Sequence, residues 1–372
     1  MPFYNRLRWM IKDDARRNVV VDKLLHLRKR LDRNLPSKDA DDNLLIATWN
    51  IRDFDKDNRR GYGDRLPESF FYIAEIISRF DFVAVQEVNR LGEWETVMDI
   101  LGPDWDYIAT DVTDPKLGGN GERMTFAYDK RKVWFQNIAG EIVLPTNMLI
   151  SKVEAEVDED DFVAGKQFRR TPFVASFQAG WFKFDICTVH IYYGKDSGKK
   201  LKERVEEIGA IAKYLSDRAD IGLEEDRALI LLGDFNIVSP DHKTMEALLK
   251  SKFKVPQALR RKTNVAGTKY YDQIAFKTKK NVVEYIESNT DDPKQRNAGL
   301  FKLFGSAFRT NQLDDYKDDM DKTDNLNSAK YGGNYAKYYR DWRTYQLSDH
   351  NPLWVRLKVN ESEGYLKRLK RN

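Results

Sequence analysis

The sequence predicts an α/β protein in which β-sheets pack face to face and helices cover them on the outside. Three observations predict it. Strand-like patterns outnumber helical ones, and the two kinds are interspersed along the chain, as in a layered sandwich. One pattern, Ala228 to Gly233, is a continuous apolar run, which suits a strand at the centre of a sheet. Six short polar segments sit at the ends of such strands: TWNIRDF (Thr48 to Phe54), QEV (Gln86 to Val88), TVHIY (Thr188 to Tyr192), LLGDFNI (Leu231 to Ile237), YYDQI (Tyr270 to Ile274) and LSDHNP (Leu347 to Pro352).

Residues 14–34 read as a helix, because Val20, Leu24, Leu27 and Leu31 recur at three-to-four spacing and share one face. Arg28, Lys29, Arg30 and Arg33 fall mostly on the remaining surface. Pro36 and the polar stretch after it end the helix. Residues 1–42 are thus a basic helical arm whose stripe packs on the body or on a second subunit, so an oligomer through this helix is one expectation. The body, 43–360, opens with a strand over Leu44 to Trp49. A helix follows over Pro67 to Phe80, then a strand to Gln86 and a helix over Leu91 to Leu101. Strands are expected at Asp106 to Thr110, Met124 to Asp129, Val133 to Asn137, Pro172 to Gln178 and Trp181 to His190. Val205, Ile208, Ile211, Ala212 and Leu215 mark a helix over Lys199 to Leu215, and a short one is expected at His242 to Leu249. Late strands fall at Tyr270 to Phe276 and Leu353 to Val359. The segment 289–345, rich in Asp, Lys, Asn and Tyr, reads first as a plain surface insertion, with a substrate-facing excursion or an oligomer contact as the alternatives. Residues 361–372 are a basic tail.

A chain of 372 residues with 41% hydrophobic content can bury one large core or two modest ones. The 33% charged content is mixed in sign and does not argue for disorder. The net charge of +4 conceals a division: residues 1–38 carry +7, the last nine carry +4, and the body between carries −7. Basic ends can touch phosphate backbones or anionic lipid, or simply aid solubility. The single cysteine, Cys187, excludes an internal disulfide framework and points to a reducing compartment. No stretch approaches the roughly 20 apolar residues that cross a bilayer, and none has the length of a signal-peptide core, so a cytoplasmic protein is expected.

The polar segments supply the parts of a phosphoesterase. Hydrolysis needs an activated water, neutralisation of charge on the phosphoryl oxygens, and help for the leaving oxygen. Mg²⁺ keeps several waters and takes few protein carboxylates, so one strand-end glutamate can hold it. Glu87 suits that role, Asn50 offers an amide oxygen to the same cation or its waters, and Asp349 is a third ligand candidate. Alone, each is an ordinary cap or turn residue; only the set argues otherwise. Asp234 and Asn236 are two apart, so in extended chain they share one side. Asn236 can donate to a phosphoryl oxygen, and Asp234 can orient the attacking water or bind metal. His350 with Asp272 as its partner is a candidate general base, the carboxylate fixing the ring tautomer, and the converse assignment, with His350 and His190 exchanging acid and base roles, stands beside it. His190 ends the strand that carries Cys187. His26 and His242 read as structural.

The segments, in this order, resemble the endonuclease/exonuclease/phosphatase superfamily over roughly residues 43–359, and within it the deoxyribonuclease I branch. That resemblance implies a four-layer α/β sandwich, two central mixed β-sheets flanked by helices. It implies that Glu122 of Gly-Glu-Arg pairs with His190 to assist the leaving group. It makes Arg170, of Arg-x-Pro, a phosphate contact in preference to Arg169, and Arg52 and Arg90 contacts to the substrate backbone. His190 stands where the abasic-site endonucleases usually place a tyrosine. Tyr-Asp-Gln-Ile lacks the Cys-Asp-Arg of the inositol polyphosphate phosphatases. It is closer to the Tyr-Asp-Arg-Ile of deoxyribonuclease I, from which Gln273 is a departure. The implied activity is Mg²⁺-dependent phosphodiester hydrolysis of nucleic acid, DNA or RNA, as an endonuclease, with Mn²⁺ or Ca²⁺ as alternative cations. Two rivals stand beside it: a sphingomyelinase-like or inositol/phospholipid phosphatase with the same catalytic set, and a non-catalytic scaffold that binds partners through its basic ends.

Overall fold

The computed structural model describes residues 2–38, 41–112, 121–150, 166–222, 227–278, 292–360 and 362–370. Six strands form one mixed sheet: β1 (Asn43–Phe54), β2 (Phe82–Val88), β3 (Trp105–Ala109), β4 (Arg123–Asp129), β10 (Ala298–Leu300) and β11 (Leu353–Lys358). Their order is β10-β11-β1-β2-β4-β3. Five more form the second: β5 (Trp134–Glu141), β6 (Phe173–Ala179), β7 (Phe182–His190), β8 (Arg227–Asp234) and β9 (Asp272–Thr278), in sequence order. Each sheet has one parallel pair at its heart, β1 with β2 and β7 with β8.

The period-two geometry of strands builds two cores. From β1, Leu44 and Ile46 point between the sheets, where they join Phe82, Ala84, Phe126, Phe177, Phe184 and Leu232. The alternating Leu45, Ala47 and Trp49 point the other way, into a second core under helices α3 (Pro67–Ile77) and α4 (Gly92–Leu101). Helices α5 (Gly198–Gly222) and α6 (Lys243–Leu249) contribute Ile208, Ile211, Leu215, Met245 and Leu248 to the first core system. Two sheets inside two helical layers are thus present, as the resemblance implied.

The arm comprises α1 (Leu7–Met10) and α2 (Asp14–Asn34). Asp13 caps α2 by accepting from the Arg16 N–H at 2.6 Å. Val20, Leu24, Leu27 and Leu31 are buried in the same core as α3. Each such side chain contributes roughly 1.5–3 kcal/mol as an upper bound, so the stripe anchors the arm to its own body. Lys38 adds a polar tether, its Nζ 2.8 Å from Asp129 and 3.0 Å from the Phe80 carbonyl.

The reading of 289–345 as a plain surface insertion does not hold for its described part. Phe301, Phe308, Tyr316, Tyr338, Tyr339 and Trp342 are all buried in the arm-side core. Two helices, α7 (Lys317–Met320) and α8 (Tyr335–Gln346), fold there. The Asp, Lys and Asn content misled, whereas here the tyrosine rings pack edge-on and stacked, and the Tyr338 and Tyr331 hydroxyls meet Thr323 and Asp341. Beyond the body, α9 (Ser362–Leu369) occupies the tail. Among the described residues, no helix is long and apolar enough to cross a membrane.

Candidate active site

The parallel pairs end side by side, and their ends carry the chemistry. In the first sheet Asn50 of β1 lies opposite Gln86, one residue before Glu87. In the second, His190 pairs with Asp234, and Asp234 with Asp272 across β9. Gly233 makes the second set fit. Its φ is +129°, and a Cβ there would lie 2.1 Å from the Val189 carbonyl oxygen, so no larger residue allows β7 and β8 this approach. Just below, the buried Gln86 amide donates to Thr188 Oγ1 across the sheets at 2.9 Å and to Thr48 Oγ1 at 3.1 Å. This polar strut fixes one sheet against the other beneath the cleft.

The cleft has a volume of about 240 Å³, and Glu87, Glu122, Arg170, His190, Asp234, Asn236, Asp349 and His350 all line it. Asp272 Oδ2 accepts from or shares a proton with His350 Nδ1 at 2.8 Å, both groups buried. Glu122 Oε1 lies 2.7 Å from His190 Nδ1 and also touches Arg170 Nε. The two remaining ring nitrogens face inward. His190 Nε2 is 3.6 Å from Asp234 Oδ2 and 3.7 Å from Glu87 Oε1, and His350 Nε2 is 3.9 Å from Asp234 Oδ2. The Asn50 amide bridges the carboxylates, donating to Glu87 Oε1 at 2.8 Å and Asp234 Oδ2 at 3.1 Å. Its oxygen accepts from the Arg52 N–H at 3.0 Å.

Electrostatics follow from this packing. Burial alone would depress both imidazoles, but the carboxylates around them win. Glu122 and Asp234 raise His190 despite Arg170, and Asp272 and Asp234 raise His350 well above 6.5. Asp234 is pushed up by burial and by the charge of Asp272. Glu87, which burial would raise, is held below the usual range by His190 and by hydrogen bonds from the Asp53 N–H and Asn50.

The donor set fits a hard divalent cation. Oxygen and imidazole ligands of Glu87, Glu122 and His190 lie within 4.8 Å of one another, as do those of Asp234, Asp272 and His350. Glu87 and Asp234 turn oxygens toward one amide, where a cation would find ligands from both sheets. Asp349 lines the cleft too, but its Oδ2 is engaged by Arg52 at 3.2 Å. Arg52 is held over the Tyr345 ring at 3.8 Å and bonded to that residue's hydroxyl. Arg90 is not brought to the cleft: it pairs in a fork with Asp57 on the exposed surface. His242 caps α6 through its Nδ1, and Asn236 uses its Nδ2 on the Ile191 carbonyl at 2.8 Å.

Sequence reasoning missed the residues beneath. Arg204 of α5 is fully buried and donates to the carbonyls of Tyr193, Lys195 and Asn236, and to Asp196. One turn on, Glu207 accepts from the Tyr192 and Arg169 N–H groups at 3.0 and 3.2 Å. Together they tie the loops after β7 and β8 and the Arg170 segment to one helix. The signal was a charged pair inside the apolar stripe that Ile208, Ile211 and Leu215 define. Arg65, likewise buried, donates to the Ile51 and Leu347 carbonyls and joins β1 to the His350 segment.

A curated protein named Deoxyribonuclease, from Thioalkalivibrio sp. (strain K90mix), is 31% identical over 214 residues, which are 56% of this chain and 49% of that one. The chain therefore spans about half the length of that relative. No protein-family model matches it. Solved structures similar to this chain carry the name endonuclease/exonuclease/phosphatase family. They include a protein so named from Bacteroides thetaiotaomicron, at 17% identity and a TM-score of 0.47 over 86% of this chain and 98% of that one. The human Nocturnin catalytic domain with bound sulfate gives 12%, 0.48, 89% and 99%. TDP2 from D. rerio, complexed with single strand DNA product, gives 12%, 0.47, 85% and 98%.

Proposed function

We propose that this chain is a divalent-cation-dependent phosphodiesterase that cuts DNA internally. One observation carries the reading: two imidazoles, each backed by its own buried carboxylate, turn their free nitrogens toward the shared Asp234, with Glu87 alongside. The 31% identical relative named Deoxyribonuclease supports DNA as the substrate and favours the deoxyribonuclease I-like branch.

Glu87 would hold the cation, Mg²⁺ being the first choice and Mn²⁺ or Ca²⁺ the alternatives; Asn50 and Asp349 would complete the set once the Asn50 amide turns its oxygen inward and Asp349 leaves Arg52. Bound there, the cation would neutralise charge building on the phosphoryl oxygens. The remaining steps belong to side chains. His350, its Nδ1 proton held by Asp272, takes a proton from water at Nε2 while Asp234 positions that water. The water attacks phosphorus in line. Arg170 and Asn236 steady the phosphoryl oxygens. His190, protonated and set by Glu122, delivers its Nε2 proton to the departing oxygen.

The test is plasmid nicking by the purified chain with Mg²⁺ and with chelator, run beside a sphingolipid phosphodiester and an inositol phosphate. Cation-dependent conversion of supercoiled to nicked circles is the expected result. Turnover of the lipid or the inositol phosphate with none of DNA or RNA would overturn the reading. His350→Ala and Glu87→Ala should each abolish nicking while the chain stays folded.

A further inference from the structure

The cleft carries a cation that this mechanism does not use. Arg60 lines it beside Asp53 and Glu87, with its side chain 62% exposed. Arg60 Nε lies 3.1 Å from Asp53 Oδ2, and Lys56 Nζ lies 2.9 Å from Asp53 Oδ1. Two cations thus share one carboxylate, and the cluster keeps a net positive charge. Asp53 is buried and keeps Lys56 as a second partner, whereas the Arg60 end of the pair is exposed, so the guanidinium can reach another anion without leaving Asp53 unpaired.

Holding Arg60 there requires an unfavourable backbone. Asn58, Arg59 and Arg60 have φ of 47°, 32° and 58°, three left-handed non-glycine residues in a row. Neighbours impose this from two sides. On one, the Arg59 guanidinium is buried against Glu93 and Asp64. On the other stands the segment that composition marks as an insertion. Asn325 Nδ2 donates to the Arg60 carbonyl at 2.6 Å, and the Asn325 N–H donates to the Gly61 carbonyl at 3.2 Å. Asn58 Nδ2 donates to Asp324 Oδ2 at 2.9 Å. Gly61 has φ +85°, and a Cβ added there would come within 2.8 Å of Asn325 Nδ2. The insertion is therefore the outer jaw that shapes this loop.

We infer that Arg60 binds the phosphate next to the scissile one on a polynucleotide strand, and that Asn325 is its positioning residue. The inference rests on the phosphodiesterase reading. Arg170 and Asn236, which serve the scissile phosphate there, are largely buried, whereas Arg60 stands at the exposed rim. A rim cation is matched by a substrate with a second phosphate and is idle on a substrate with one.

The experiment compares wild type, Arg60→Ala, Arg60→Lys and Asn325→Ala on a DNA oligonucleotide and on bis(p-nitrophenyl) phosphate, with a melting curve for each. Arg60→Ala should lower kcat/KM on the oligonucleotide about tenfold, mainly through KM. It should also reduce the salt dependence of log(1/KM) by about one unit of slope. The loss on the small diester should be several-fold smaller. Arg60→Lys should recover part of the loss, and Asn325→Ala should show the same KM and salt signature at smaller amplitude. Equal losses on both substrates, or an unchanged salt slope, would overturn the assignment of Arg60. A normal KM in Asn325→Ala would overturn the positioning role. If wild type cleaves only the small diester and no nucleic acid, the functional reading itself fails and takes the inference with it.

Discussion

Asp272→Asn is the sharpest probe of the cleft, because it changes one charge and almost no volume. The side chain is buried, and its backbone N–H stays bonded to Thr263 Oγ1, so β9 keeps its register with β8. What changes is the partner of His350 Nδ1 at 2.8 Å. An asparagine that turns its NH₂ toward that nitrogen makes it an acceptor, which moves the ring proton to Nε2, the atom that should receive a proton from water. A correctly placed general base is worth about 10²–10⁴ in rate, or roughly 2.7–5.5 kcal/mol of barrier. The pH profile carries a second signature. Burial lowers the His350 imidazole, but Asp272 and Asp234 raise it further, to well above 6.5. A base must be neutral, so the wild-type rate should rise with pH through a midpoint above 6.5; loss of the Asp272 charge should move that midpoint down. Stability moves with the opposite sense. The raised folded value means that the protonated pair contributes stability fully present below about pH 6.5, the unfolded value, and lost as pH rises through the folded one. The melting difference between wild type and variant, measured in chelator, should therefore be widest near pH 6 and shrink above. Initial nicking rates from pH 5.5 to 9 read the first effect, thermal melts the second. A variant within about threefold of wild type, with its midpoint unmoved, would refute the assignment of His350 as base.

Other outcomes follow from neighbouring groups. Glu87→Gln should weaken cation binding: at 100 times its Kd a cation stabilises wild type by about 2.7 kcal/mol, and melts with and without Mg²⁺ should show that increment lost in the variant. Arg204→Met keeps the bulk but strips the donors from the Tyr193, Lys195 and Asn236 carbonyls. It should lower kcat about 10- to 100-fold with a smaller change in KM, and Arg204→Lys should restore part of it, as steady-state kinetics will show. Leu27→Ala on the arm should cost about 2–5 kcal/mol in urea unfolding and leave kcat unchanged, because that side chain is buried far from the cleft chemistry.

The sequence made the sandwich legible because its strands are short, apolar and punctuated, and because each chemical segment sits where a strand must end. Helix α2 begins and ends where the Val20-to-Leu31 stripe and Pro36 put it. Strand β1 runs to Phe54, past the expected Trp49, since pairing to β2 resumes after a bulge beyond Asn50. Helix α8 was invisible for a different reason: Tyr338, Tyr339, Trp342 and Tyr345 are buried, but Lys337, Arg340, Asp341 and Arg343 lie beside and between them in a segment rich in charge. At the site, side chains whose chemistry names them were readable, among them Glu87, His190, Asp234 and His350. The roles of Arg204, Glu207, Arg65 and Gln86 were not, even though Gln86 opens a polar segment and Arg204 and Glu207 interrupt an apolar stripe. Their work is to bind backbone carbonyls, N–H groups and a threonine hydroxyl brought near by the fold, and no local pattern announces such partners. Arg90 shows the converse: its place in a motif suggested substrate, while Asp57 claims it.

Backbone strain explains why so much buried hydrogen bonding surrounds so small a cleft. Among the described residues, eleven non-glycine residues have left-handed φ, and eight of them are Arg52, Asp53, Asp55, Asn58, Arg59, Arg60, Glu87 and Asn236. Each such residue costs on the order of 1 kcal/mol or more, a sum comparable to the whole stability of a domain. The cost is borne only if neighbours over-determine the conformation. They do: Asp53 N–H is fixed by Glu87 Oε2 at 2.7 Å, Asp55 Oδ2 accepts the Glu93 N–H at the start of α4, and Asp234 Oδ1 accepts the Asn236 N–H at 2.9 Å. The carboxylates that would serve the reaction therefore also hold the strained chain that presents them. Neutralising one, as in Glu87→Gln, keeps its shape but weakens the acceptor of the Asp53 N–H, so the 52–60 loop and the cation site should loosen together. That coupling ties the 52–60 loop to the proposed cation site, although none of its side chains takes part in a proton-transfer step.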